Sequence, residues 1–345
     1  MAIPTNEEKW SMLERFDSKM TRLLYPRIYD IPGNFGSPKK VAVDLGFSLL
    51  AVRKQSPSYL RNALEDRALC AAVTGGKRAI RFGMPTYFIE KDFLEAALQT
   101  QAPAEMPIAE LRFPMPAMVM MFPKGLIKTP QDGPIEYLLV AKGEIGLQSK
   151  IFADEEDFIL RENSIFYYTQ AQTAGFGGKV DIPEDGQIQD IFKEQAEGDN
   201  YSYQSMDEGV GKGVAPSTPL DDAETIFNQE MFAAAIKLLL AMTARPELVT
   251  SGSERKPARE KKGEWQRAFW TPNFIGRGYR IQREETGEGG THATPRMHWR
   301  RGHYRRQHFG TGRTQVKTLW IDPMLVAAAA SEKEVEGSKT DTPAS

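Results

Sequence analysis

The sequence predicts an α+β protein: helices packed on a mainly antiparallel sheet, with a basic β-rich C-terminal module. Three observations predict it. Apolar residues recur at helical spacing near the start and again from Phe227 to Met242. Runs of β-forming residues punctuated by turn signals fill Leu111 to Thr169. Residues 291 to 326 then collect cations, histidines and aromatics in strand-like sequence.

Thr5 and Glu8 have the spacing of a capping box, and Trp10, Leu13, Phe16, Met20, Leu23 and Leu24 follow on one helical face until Pro26. Ser37-Pro38 suits the start of a second helix over Lys40 to Val52. A third is expected from Pro57, with Leu60, Leu64, Ala68, Leu69 and Val73 apolar and Gly75-Gly76 as its stop. Gly75-Gly76-Lys77-Arg78 lacks the spacing of a phosphate loop and reads as turn chemistry. Asp92 to Gln99 is a fourth helix, closed by Pro103.

Ala117 to Phe122, Ile135 to Ala141 and Ser164 to Thr169 are strands of the sheet, which the early helices pack on one face. The methionines between Met115 and Met121 suit either core or an adaptable peptide-binding surface. Asp221 or Asp222 caps the long helix that ends before Pro246 and that should be the central core helix. Trp265 to Gln282 again alternates like strands.

The single cysteine, Cys70, sits among Ala68, Leu69, Ala71 and Val73 and reads as a buried helix residue. It excludes an internal disulfide framework and suits a reducing, cytoplasmic compartment. Met1 to Glu8 lacks a secretory pattern, and Met231 to Ala244 is short for a membrane span and contains Lys237, so no membrane is expected.

These features divide the chain into a helix and sheet body at 1–180, an acidic insertion at 181–222, a core helix at 223–250, a basic linker at 251–263, the basic module at 264–326 and a disordered tail at 327–345. The insertion has eleven acidic residues against Lys193 and Lys212, too polar to offset its chain entropy, and is expected to be partly disordered. Its charge opposes that of the basic module and could shield it.

All four histidines lie between His292 and His308, and Thr291 to Ile321 holds seven Lys or Arg and no acid, in a chain of net charge -2. Three chemistries use such residues. In polyanion binding, Arg296, Arg300, Arg301, Arg305, Arg306, Arg313 and Lys317 contact phosphates while Trp299, Tyr304 and Phe309 stack on unpaired bases. In RNA cleavage, His298 and His303 serve as acid and base and Arg301 steadies the developing charge, on condition that Gly302 breaks the strand so that the pair converges. The third is a metal site, but histidine spacings of six, five and five match no zinc-finger pattern and the cations repel a divalent ion, so no metal or cofactor is expected. Gly302, Gly310 and Gly312 read as structural turn positions.

Arg296, His298, Arg300, Arg301, Gly302, His303, then Gly310-Thr311-Gly312, then Trp320 and Val326, resemble the C-terminal signature of anti-CRISPR proteins of type V-A systems that suppress synthesis of the RNA-guided nuclease, and of their phage and plasmid relatives. Met297, Trp299, Tyr304 and Arg305-Arg306 depart from that pattern. The resemblance implies a mobile-element protein that recognises a nascent target polypeptide and triggers destruction of the mRNA being translated, its C-terminal module meeting ribosome or RNA. Two further readings stand beside it, a metal-independent ribonuclease using His298 and His303, and a nucleic-acid-binding repressor.

Overall fold

A computed structural model describes residues 6–16, 33–53, 67–82, 84–131, 133–143, 164–171, 174–183, 185–197, 201–204, 218–251, 273–286 and 298–328. The helices are α1 (Asn6–Phe16), α2 (Pro38–Arg53), α3 (Arg67–Arg81), α4 (Lys91–Gln99), α5 (Ile188–Glu197) and α6 (Asp222–Ala244). Strands β1 (Thr86–Ile89), β2 (Thr100–Gln101), β3 (Ala117–Met121), β4 (Ile127–Lys128), β5 (Pro134–Ile135) and β6 (Tyr137–Lys142) come first. They are followed by β7 (Ser164–Gln170), β8 (Ala174–Asp181), β9 (Tyr201–Gln204), β10 (Thr218–Pro219), β11 (Val249–Ser251) and β12 (Asn273–Ile275). The C-terminal strands are β13 (Gln282–Thr286), β14 (His298–Arg300), β15 (Gly302–Phe309), β16 (Gln315–Ile321) and β17 (Met324–Ala328).

Nine strands form one sheet in the order β10-β9-β8-β7-β6-β3-β1-β12-β11. Only β1 pairs in parallel, with β3 on one side and β12 on the other, so the sheet is mainly antiparallel and the fold is α+β. The apolar runs are explained by burial on both faces. Met118 and Met120 of β3, with Leu138 and Val140 of β6, join the core under α4, α5 and α6. Val119, Met121, Leu139 and Ala141 point the other way, into the core under α1, α2 and α3. Met118, Met120 and Met121 are fully buried, which makes this methionine run core and leaves no adaptable surface there.

The long helix α6 is capped as its sequence predicts. The Asp221 side chain accepts from the Glu224 amide at 2.8 Å while Glu224 reaches back to the Asp221 amide. Phe227, Phe232, Ala235, Ile236, Leu239 and Leu240 are buried around its circumference. By length and composition alone it is the one described helix able to cross a membrane, yet 67% of its apolar window is buried inside the protein.

Three expectations change. Helix α3 runs through Gly75 and Gly76 to Arg81. A Cβ on Gly75 would lie 2.9 Å from Leu139 Cδ2, so this glycine lets the helix approach the sheet, a tertiary gain that overrides its helix-ending tendency, whereas a Cβ on Gly76 would make only ordinary contact with Leu45 at 3.4 Å. The segment 181–222 contains α5, whose Ile188 and Ile191 enter the core, and β9 and β10 extend the sheet; residues 205–217 lie outside the described residues. Of residues 264–326, the described ones are built into the body, since β12 lies inside the large sheet and Trp320 lies in the core; residues 264–272 and 287–297 lie outside the described residues. The first helix beyond Phe16, the segment from Pro57 to Asp66, the linker from Gly252 on and the tail from Ala329 on lie outside the described residues.

Candidate nucleic-acid interface

From His298 on, the basic stretch folds as one long antiparallel hairpin with a corner in it. His298 lies opposite Val326 and Arg300 opposite Met324, in β14 and β17; His303 lies opposite Ile321 and Phe309 opposite Gln315, in β15 and β16. The register is the same on both sides of the corner, so no residue is inserted. At the corner, Arg301 and Gly302 face Asp322 and Pro323, and the two halves part into different sheets: β17 lies between β13 and β14, while β15 lies between β16 and β2. Pro323 has no amide hydrogen for a ladder bond. A Cβ on Gly302 would come within 2.5 Å of Thr100 Oγ1, 2.8 Å of Pro323 Cδ and 2.9 Å of the Ile321 carbonyl, so only glycine fits this corner.

The corner is fastened to α4 and α6. Trp320 is buried, 5.5 Å from Phe93 edge to face, and stacked on Tyr279 at 5.8 Å and on Tyr304 at 6.4 Å between centroids. Its indole N–H donates to Thr100 Oγ1 at 2.9 Å. Asp322 accepts from the Tyr279 hydroxyl at 3.2 Å and from Arg245, just past α6, at 3.4 Å. The Tyr304 hydroxyl donates to the Lys237 carbonyl at 3.4 Å, and the Lys237 amine donates to the Leu98 carbonyl at 2.6 Å, near the end of α4. Burial, with the Asp322 carboxylate in support, pushes the Tyr304 and Tyr279 phenols well above the usual tyrosine range. Burial lowers the Lys237 amine, and the Arg301 charge adds to it.

Strand alternation then divides the side chains. Tyr304 and Arg306 face the body, where Arg306 pairs with Glu110 at 2.7 Å. The acidic partner that Arg306 finds therefore lies on the short 3-10 turn Ile108–Glu110, outside the acidic segment. His303, Arg305, Gln307 and Phe309 face away, with Leu319 and Lys317 of β16 beside them and the Lys317 ammonium 5.5 Å from the Phe309 ring. Arg300, Arg301, Arg305, Arg313 and Lys317 are exposed, and Trp299 is half-buried. Gly310 at φ 80, Gly312 at φ 69 and Arg313 at φ 55 take the left-handed conformations that reverse the hairpin. His308 Nδ1 lies 3.2 Å from the Arg313 carbonyl and braces that turn.

For the acid-base chemistry, the strand breaks at Arg301, next to the expected Gly302, and His298 and His303 fall on opposite sides of the corner in different sheets. His303 and Arg301 are exposed; Arg296 and the side chain of His298 lie outside the described residues. Of the aromatics expected to stack on bases, Tyr304 is taken up by Trp320 and Lys237, which leaves Phe309 as the large exposed ring of the hairpin.

Thr100, Arg245 and Asp322 were not singled out from the sequence, and Lys237 stood out there only as a charge inside an apolar helix. Asp322-Pro323, a turn dipeptide inside a strand-like run, was the available signal for the corner. The pairing of Asp322 with a residue 77 positions earlier has no local signal at all.

A family model described as AcrVA2-like, anti-CRISPR type V subtype A2 family, matches residues 87–328. That span starts in β1 and ends with β17, taking in α4, α6 and the whole kinked hairpin. Among solved structures, a crystal structure of AcrVA2 is similar at 12% identity, with a TM-score of 0.34, over 93% of this chain and 94% of that one. No curated protein matches.

Proposed function

The chain belongs to the AcrVA2-like family of anti-CRISPR proteins, type V subtype A2, and from that premise we propose that it silences a gene by acting on translation. It recognises the amino-terminal part of a nascent target polypeptide and triggers destruction of the mRNA being translated. The kinked hairpin meets ribosomal RNA or message.

One observation supports the RNA-facing half of this reading. The hairpin is fixed to the core by Trp320 and Asp322, while Arg300, Arg301, Arg305, Arg313 and Lys317 stay exposed. A rigid support with exposed cations is what phosphate recognition requires. If those five each meet a phosphate of a single strand, log K falls against log salt with a slope of roughly 3 to 4.

Affinity purification of crosslinked complexes from cells translating the target tests the proposal. Ribosomes together with one nascent amino terminus are expected. Recovery of duplex DNA in place of ribosomes would favour a repressor. Cleavage of RNA by the purified protein in EDTA, lost on His303→Ala, would favour a ribonuclease.

A further inference from the structure

A strand at the end of a sheet leaves alternate amide and carbonyl groups without partners, and proteins blunt such edges by keeping the strand short. Most edges here are short: β2 and β10 have two residues each, and β11 and β14 have three each. β16 differs. Its seven residues, Gln315–Ile321, form the outer strand of β16-β15-β2, and among the described residues no other strand or backbone hydrogen bond takes up its outer side. It contains no proline, and its register with β15 runs without a bulge.

Apolar surface gathers at that edge. Of the five large apolar side chains exposed among the described residues, Val316 and Ile321 lie in β16 and Phe309 ends β15. Charge lies beside them. The face turned away from the body carries Lys317, Leu319 and Ile321 at alternate positions of β16, with Arg305 next to Leu319. Neither Lys317 nor Arg305 has an acidic partner among the described residues.

We propose that an extended peptide segment of another protein adds to this edge as a further antiparallel strand, with an acidic residue opposite Lys317 and apolar residues opposite Leu319 and Ile321. From its amino end such a peptide has the pattern apolar-x-apolar-x-acidic, because side chains of one face recur at every second residue. Main-chain bonds supply the affinity and the alternate side chains the specificity. The inference goes beyond the function proposed above: RNA is met by the cations along the hairpin, the peptide by the edge of one strand. A second copy of this chain is the poorer fit, since β16 itself holds no acid to set opposite Lys317.

Fluorescence anisotropy with the full chain and four labelled nine-residue peptides tests this. The first has valine, valine and glutamate in that order at alternate positions with threonine between them, and the second has lysine for the glutamate. The third and fourth are the first sequence N-methylated at every second residue, so that each blocks one edge of the extended peptide. The glutamate peptide is expected to bind at least about fivefold tighter than the lysine peptide. One methylated form should lose at least about tenfold in affinity and the other should bind as the parent does, because only one edge of the peptide meets β16. Lys317→Glu should invert the order of the glutamate and lysine peptides with little change in melting temperature, since this side chain is exposed. No binding of any peptide, or methylation of both edges tolerated alike, would overturn strand addition. An order unchanged in Lys317→Glu would remove the peptide from β16. A chain that sediments as a dimer and binds no peptide would give the edge to a second copy instead.

Discussion

Trp320 donates its indole N–H to the hydroxyl of Thr100, 2.9 Å away in space and 220 positions earlier in the chain. Thr100 is fully buried and donates in turn to the Ala96 carbonyl at 2.8 Å, in the last turn of α4. The bond therefore joins the end of a core helix to the corner of the basic hairpin. It places the exposed arginines at a fixed position relative to the sheet.

Replacing Trp320 measures that attachment. Trp320→Ala removes the ring that touches Phe93, Tyr279 and Tyr304 and should destabilise the protein by about 3 to 5 kcal/mol. Trp320→Phe keeps much of the packing and loses the donor, at about 1 to 2 kcal/mol. Urea unfolding gives both values. A shift for the alanine variant no larger than that of an exposed substitution would mean that the hairpin is held elsewhere.

Gly302 tests the corner itself. Gly302→Ala adds a carbon 2.5 Å from Thr100 Oγ1 and 2.9 Å from the Ile321 carbonyl, so β15 must move off β2 or β16. Overpacking of this kind costs about 1 to 3 kcal/mol. Combining it with Thr100→Ala should recover only part of the loss, because the backbone contact remains. Full recovery in the double variant, read by thermal unfolding, would show that the side chain alone demands glycine.

How much of this was legible depends on where each signal lies. The cap at Asp221, the apolar β3 run and the turn at Gly310 and Gly312 are local, and each was read from its own residues. Gly75-Gly76 misled because glycine ends a helix in isolation, whereas here it admits Leu139. Helix α5 carries Ile188, Ile191 and Phe192 at helical spacing, a pattern hidden by the acidic residues counted around it. Beyond local reach were the insertion of β12 beside β1, which joins residues about 186 apart, and the tie between Asp322 and Arg245. Both are set by packing of the finished sheet and core. The signature itself was visible as a charge anomaly, but nothing in its composition said which side chains face the body.

The tyrosines of the corner predict an alkaline weakness. The Tyr304 and Tyr279 phenols are raised above their ordinary value of 10.0, so their stabilising protonated forms are fully present below about pH 10. Above that pH the unfolded chain releases protons that the folded chain still holds, and stability falls toward the folded value. Melting temperature should therefore drop steeply beyond about pH 10, while phenolate absorbance rises as the protein unfolds. Tyr304→Phe should remove part of that slope and lose a small amount of stability at neutral pH, through its bond to the Lys237 carbonyl. An unchanged slope in the variant would mean that Tyr304 ionises freely in the folded protein.

Arg300 and Arg301 separate the role of the hairpin from that of the body. Both are exposed beside the corner, and Arg301 stands close enough to Lys237 for its charge to depress that amine. Replacing both with alanine removes no buried packing, so stability should change by less than about 0.5 kcal/mol, with relief of the repulsion on Lys237 acting in the favourable direction. If the hairpin contacts RNA while the body reads the peptide, silencing should be lost and binding of the target's amino-terminal peptide retained. The two readouts are a reporter translated from the target gene and titration calorimetry with the peptide. Loss of both functions together would make these arginines part of the peptide site. Raised Lys237 ionisation, followed by NMR in the Arg301→Ala single variant, would confirm that the two cations share one surface.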